Sequence, residues 1–370
     1  MKKAPRHPYV GKPDFQFWKS APGSRDPAEL DPVTGTSFRI GRRDRVVTAG
    51  SCFAQHVARH LMMAGLNHHV TEPGHPMLPP EIRAEFNYGV FSARYGNLYT
   101  TRQLRQLVER AYGAFEPLAG FWEQPDGCVA DPFRPQIQPK GFVSRAEARL
   151  DRERHLAAVR RAFEEMDVFV FTLGLTEGWE DARDGAVFPL APGVAAGCYD
   201  PDVHRFRNFG TTEVIEDLNR SIEAIRARNP RVRILLTVSP VPLNATALER
   251  HVLVSTTYSK AVLRVAAEEV RTSWPEVDYF PSYEIITAPQ TRGRYYAADA
   301  RAVLEAGVRH VMGVFFRHYT SVEPAEAGPP PAAAVDPHLS EMDEVIQTLC
   351  DEEAISSVEE RRHAPDPLRA

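Results

Sequence analysis

Residues 50–52 read Gly-Ser-Cys, a hydroxyl beside a thiol, between a short apolar run (residues 44–49) and a helix-spaced segment (residues 52–62). A nucleophile in a strand-to-helix turn gains from the free N–H groups and partial positive charge of the helix N-terminus. These lower a thiol's pKa and can receive an oxyanion. A serine there is equally an ordinary helix cap. Further groups follow the other apolar runs: Gly174-Leu175-Thr176-Glu177 after residues 167–173, and Ser239-Pro240-Val241-Pro242 after residues 232–238. The histidines placed to act as a base are His251, in the loop or early helical turn after residue 242, His56, one helical turn beyond Cys52, and His204. His56 and His60 have the i, i+4 spacing of metal ligands, but no carboxylate accompanies them as in H-E-x-x-H, and no metal is expected. No cofactor is expected either, because the chain has neither a P-loop nor a G-x-G-x-x-G turn.

The elements that would hold these groups alternate in type. Buried strands are read at residues 44–49, 66–71, 167–173, 232–238 and 277–280, from continuous apolar, β-branched and aromatic content. Helices are read at 52–62, 101–115, 144–166, 211–229, 248–272 and 299–319. Strands alternating with helices give an α/β fold with a three-layer, doubly wound parallel sheet of flavodoxin-like layout. In such a sheet ligands bind beyond the carboxyl ends of the strands, where the Gly50, Gly174 and Ser239 turns fall.

The 370 residues carry 44 Lys+Arg and 49 Asp+Glu, a net charge of −5, which argues against a dedicated nucleic-acid binder. No apolar core follows the basic start and no eighteen-residue apolar window exists, so neither a secretory signal nor a membrane span is expected. The four cysteines lie far apart, which suits reduced thiols and a cytoplasmic location. The 31 prolines are well above the usual share of roughly 5%. They concentrate in connections that should form stiff, ordered loop insertions over the sheet ends, with Phe115, Phe121, Trp122, Phe133 and Phe142 among them. Residues 1–39 are read as an extension packing on one domain of residues 40–320. Residues 321–370, with a proline triplet and many charges, are read as a flexible tail with one helix at 339–349.

The segment Gly50-Ser51-Cys52-Phe53-Ala54 resembles the motif of the GSCFA family, which is placed among the SGNH/GDSL-like hydrolases. The resemblance continues through Tyr95-Gly96-Asn97, Thr172-Leu173-Gly174-Leu175-Thr176-Glu177-Gly178-Trp179, Thr237-Val238-Ser239-Pro240-Val241-Pro242, Tyr258-Ser259-Lys260 and Tyr279-Phe280-Pro281-Ser282-Tyr283-Glu284. It implies a nucleophile at Ser51 or Cys52, an oxyanion pocket from Gly50, Gly96, Asn97, Gly174 and Thr176 with Ser239 nearby, and a base system of His251 with Asp299 or Glu177. The pattern departs from the family at its Asp-x-x-His block: Asp299 matches, but Ala302 stands at the histidine position. Asp299 could equally cap the last helix. Two functions follow. One is an esterase or acyltransferase acting on a small-molecule or glycan ester. The other is an altered glycan- or polymer-binding protein that has lost its base.

Overall fold

A computed structural model describes residues 7–21 and 26–321. The elements in chain order are β1 (Val46–Gly50), α1 (Phe53–Met63), α2 (Pro80–Glu85), α3 (Thr101–Ala111), β2 (Trp122–Glu123), β3 (Val129–Ala130), α4 (Arg145–Glu165), β4 (Val168–Leu173), β5 (Glu177–Asp181) and β6 (Val187–Phe188). They continue with β7 (His204–Asn208), α5 (Thr211–Arg226), β8 (Arg233–Val238), α6 (Val252–Ser273), β9 (Val277–Phe280), α7 (Ser282–Thr287) and α8 (Glu305–Tyr319). The chain is α/β, and its main sheet is four parallel strands in the order β1-β4-β8-β9.

Side-chain alternation explains why helices cover both faces. In β4, Phe169, Phe171 and Leu173 enter one core with Leu104 of α3, Phe163 of α4, Leu218 of α5 and Leu263 of α6. Val168 and Val170 enter the other with Phe53 and Leu61 of α1, Ile285 of α7 and Phe315 of α8. A parallel strand buried on both faces is apolar at nearly every position, as β4 is at all but Thr172. Capping fixes the helix starts: Thr100 and Gln103 form a capping box at α3, and the Ser144 side chain accepts from the Glu147 N–H at α4.

The structure departs from the sequence-based elements in four places. The strand read at 66–71 is a single parallel bridge, in which Val46 N–H donates to Asn67 O (2.9 Å) and His69 N–H donates to Val46 O (2.8 Å). The chain then peels away because Thr71 N–H donates to Ser92 O (2.7 Å), while Ser92 Oγ accepts the next free edge donor, Thr48 N–H (3.1 Å). That segment still lies outside β1, so the strand order reverses at β1, as in flavodoxin-like sheets. The connection at 174–210, to which the sequence analysis assigns no element, holds the antiparallel sheet β6-β5-β7. The last helix begins at Glu305 rather than 299, because Ala300 takes the left-handed conformation (φ 55°) in a turn that blocks helix propagation. The short helices α2 and α7 and the two-stranded β2-β3 sheet are additional.

The segment before β1 is tied to the domain through Asp31, which pairs with Arg317 (2.5 Å) and His318 (2.8 Å), and through Ser37 N–H to the Asp278 carboxylate (2.8 Å). The tail and its helix at 339–349 lie outside the described residues. Among the described residues no helix is long and apolar enough to cross a membrane.

The tightest backbone approach in the sheet is at Gly50. Its φ is +131°, and a Cβ there would lie 2.2 Å from the Thr172 carbonyl oxygen. Gly50→Ala therefore combines a forbidden backbone conformation with a backbone clash. The expected loss is about 3 kcal/mol or more of unfolding free energy, read by urea denaturation. A loss below about 1 kcal/mol would contradict this geometry.

Candidate functional site

The turn after β1 is built from backbone hydrogen bonds. Ser51 N–H donates to Thr172 O (3.1 Å), and Ser51 O and Cys52 O accept from Ala54 and Gln55 as α1 starts. Residues 95–100 cross this end of the sheet. Leu98 N–H donates to Gly50 O (2.8 Å), Tyr99 O accepts from both Gly174 and Leu175, and the Tyr95 hydroxyl donates to Thr48 O. Gln55 Nε2 donates to Asn97 Oδ1 (3.0 Å), joining the first turn of α1 to this loop.

Gly50, Ser51, Gly96, Asn97, Gly174 and Ser239 are thus gathered beyond β1, β4 and β8. A Cβ on Gly174 would lie 3.0 Å from the Ser51 Cβ and 2.9 Å from Tyr99 O, so only glycine fits opposite Ser51. Gly96 has φ +70° with open space where a Cβ would be. Ser239 N–H donates to Leu173 O (2.8 Å), and its hydroxyl accepts from Val241 N–H.

Three polar atoms of this neighbourhood are buried and make no hydrogen bond within the protein: Ser51 Oγ, Thr172 Oγ1 and Gln55 Oε1. Buried hydroxyls are ordinarily satisfied, and an unsatisfied one costs about 1–3 kcal/mol. Ser51 is 3% exposed, whereas the Cys52 thiol is half-buried and sits at the N-cap of α1.

The proposed base residues are placed less simply. Thr176, expected to donate into the oxyanion pocket, directs its hydroxyl to Asn208 Oδ1 (2.7 Å), and its N–H donates to Ser259 Oγ (2.9 Å). The start of β5 beside β7 turns that hydroxyl toward β7, where Asn208 engages it. Asp299 is exposed, and its carboxylate accepts from the N–H groups of Arg301 and Ala302. It caps a turn ahead of α8, not α8 itself, and makes no hydrogen bond to Ser51. His251 is the exposed N-cap of α6, where its Nδ1 accepts from Leu253 N–H (3.1 Å). Glu177 comes to the same helix end: it accepts from Thr246 (2.8 Å), and Ser255 is a further partner. Burial pushes the Glu177 carboxyl up, with Thr246 and other donors opposing.

His56 is pushed down to about 4 by burial and by its neighbours His60 and Arg59, so it is neutral at pH 7. His204 lies on β7, where its Nδ1 accepts from Asp200 N–H (3.0 Å). No group of three or more potential metal ligands exists among the described residues.

Lys260 enters the sequence analysis only within the family resemblance, with no role attached. It is 2% exposed, and its Nζ donates to the Gly174 carbonyl (2.7 Å), holding the glycine that faces Ser51. The available signal was a lysine on the stripe Leu263, Ala266, Ala267 and Val270, where an ammonium needs a buried acceptor. The aromatic residues of the long connection are packed rather than presented. Phe142 joins the main core, and Phe133 joins Phe188 with Phe115 and Trp122 against them.

The cleft beside Gly96 and Asn97 has room for about 10 Å³, closed by Phe91, Tyr95 and Phe133. A groove of about 730 Å³ lies elsewhere, between Phe15, Trp18 and the end of α7. It holds none of the groups that could do chemistry at the turn.

The raised Glu177 carboxyl gives a signed pH dependence. Its folded form holds a proton more tightly than the ordinary value of 4.5, so stability falls as pH rises through the window above 4.5. Glu177→Gln should remove this fall. Urea midpoints from pH 4 to 8 are expected to drop further for the wild type than for the variant, and parallel profiles would contradict the burial of this carboxylate.

No curated protein matches the chain. The sequence profile of the GSCFA family matches residues 45–315, from β1 into α8, which takes in the whole parallel sheet and the Gly50-Ser51-Cys52 turn. With well over half its length inside that match, the chain belongs to the GSCFA family.

Proposed function

We propose that the protein is an SGNH-like hydrolase or acyltransferase whose nucleophile lies in the Gly50-Ser51-Cys52 turn. The observation that carries this reading is the Ser51 hydroxyl. It sits at the point where the strand order reverses, with no protein partner, between two glycines that no other residue could replace. Ligand sites of open parallel sheets occupy that position.

In the reaction, Ser51 Oγ or Cys52 Sγ attacks an ester carbonyl, and the nucleophile's proton passes to a base. The carbonyl oxygen becomes an oxyanion held by N–H groups of the turn and of the Gly96–Asn97 loop. Collapse expels the alcohol, which takes a proton. Water, or a second alcohol in the transferase case, then attacks the acyl-enzyme and regenerates the nucleophile. Ala302 occupies the family's base position, so the base is drawn from the start of α6, where His251 is the N-cap and Glu177 reaches Thr246 and Ser255. Ser51 is 3% exposed, so its reaction requires local opening of the turn. An acyl group on a carbohydrate is a substrate that fits by fold analogy.

A second reading is favoured by one specific observation: no histidine hydrogen-bonds the Ser51 hydroxyl. On that reading the protein binds a glycan or another polymer without reacting.

Adduct mapping separates the two. The protein is treated with a fluorophosphonate and, separately, with iodoacetamide, and labelled peptides are identified by mass spectrometry. Selective labelling at Ser51 or Cys52, lost on acid denaturation, is expected. No selective label, together with ester hydrolysis unchanged in Ser51→Ala and Cys52→Ala, would sink the enzyme reading.

A further inference from the structure

Behind the Tyr95 loop lies a second polar cavity with a different chemistry. Four arginines, Arg94, Arg110, Arg134 and Arg152, meet three carboxylates, Glu72, Asp131 and Asp151. The carboxylates are already engaged. Asp131 accepts from Arg134 and Arg152, Asp151 from Arg94 (2.8 Å) and Arg134 (2.7 Å), and Glu72 from Arg94 N–H (2.7 Å) and His155 Nδ1 (2.9 Å). Four cations against three anions leave one positive charge in excess.

That excess falls on Arg110. It is 8% exposed, its guanidinium lies 3.8 Å over the Phe133 ring, and its Nη2 makes no hydrogen bond within the protein. Burial pushes it down to about 9, with Asp131 opposing and Arg152 and Arg134 adding to the fall. A buried, unmatched guanidinium is costly unless something anionic approaches it.

The second orphan is His155 on α4, 1% exposed, whose Nε2 makes no hydrogen bond. Its Nδ1 faces the Glu72 carboxylate and so carries a proton. Nε2 is therefore an acceptor when the ring is neutral and a donor only when it is charged. Arg110 and His155 line one small space of about 20 Å³ with Tyr95, Gln103, Phe133 and Arg134. Such a volume admits a single atom-sized occupant and excludes sulfate or phosphate.

We infer that this cavity is a site for a small monovalent anion of halide size, taken up together with a proton on His155. Arg110 Nη2–H and His155 Nε2–H then both donate to the ion, and the cluster's net charge is unchanged by the paired uptake. The charged groups facing His155 are Glu72 from the loop before α3, Arg110 from α3, and Asp131 and Arg134 from the turn after β3; Arg94, Asp151 and Arg152 pair with these in the surrounding cluster. Burial and then Arg134 hold the empty-site imidazole below its ordinary value, with Glu72 opposing. A bound anion raises it, so by reciprocity halide binds more tightly as pH falls. This inference is independent of the reaction proposed above.

The test compares melting temperatures of the full chain in sodium chloride or bromide with those in sodium gluconate at equal ionic strength, at pH 5.5 and pH 8. A halide-specific rise of about 2 °C or more is expected at pH 5.5, smaller at pH 8 and absent in Arg110→Met. Crystals grown in bromide should show an anomalous peak between Arg110 and His155, a readout that holds even if the variant does not fold. Equal melting in all three salts at both pH values, or a water without anomalous signal at that position, overturns the proposal.

Discussion

The Gly50 backbone passes so close to Thr172 that no side chain fits between them, and much of the candidate site follows from that contact. It lets β1 stay paired with β4 to its last residue and then turn at once into α1. The sharpness of the turn places Ser51 over the sheet end rather than along a helix. It also sets the height at which residues 95–100 can cross, because Leu98 takes the Gly50 carbonyl and Tyr99 takes the Gly174 and Leu175 amides. Two glycine-dependent contacts, at residues 50 and 174, thus flank the turn, and a methyl group at either would push the layers apart.

The long connections obey a different constraint. Residues 64–100 and 112–144 have little regular structure of their own, so their backbone groups and charges need other partners. The buried arginines supply them. Arg94, fully buried, donates to Phe86 O, Ile137 O and Asp151, and Arg134 donates to Arg94 O as well as to Asp131 and Asp151. Each guanidinium clips several loop segments to α4, whose Asp151, Arg152 and His155 face them. Breaking one partner of such a buried pair costs about 3–5 kcal/mol. These loops are therefore as much part of the fold as the sheet is.

The parallel sheet was legible because its strands are short runs dominated by apolar, β-branched and aromatic residues, a pattern few other structures require. β4 and β8 were placed within about one residue. The 66–71 segment has the same composition but loses its partner to Ser92, a long-range contact with no local signal. The sheet β6-β5-β7 was missed because its strands are short and charged, with Arg205, Arg207 and Glu180 satisfied across the ladder rather than by burial in a core. At the site, the glycines and Ser51 were readable from turn chemistry, since they act through the backbone. Thr176, Asp299 and His251 were not, because the direction of a polar side chain depends on which neighbour offers an acceptor or an amide. Lys260 was hidden within a helix that otherwise reads as amphipathic.

Ile40 N–H donates to Tyr319 O and Ser321 N–H donates to Ile40 O, so the chain enters and leaves the domain side by side. Segments attached before residue 40 and after residue 321 therefore share one root. The parallel sheet and its helices could therefore be inserted, at this root, into a loop of another protein without stretching either end.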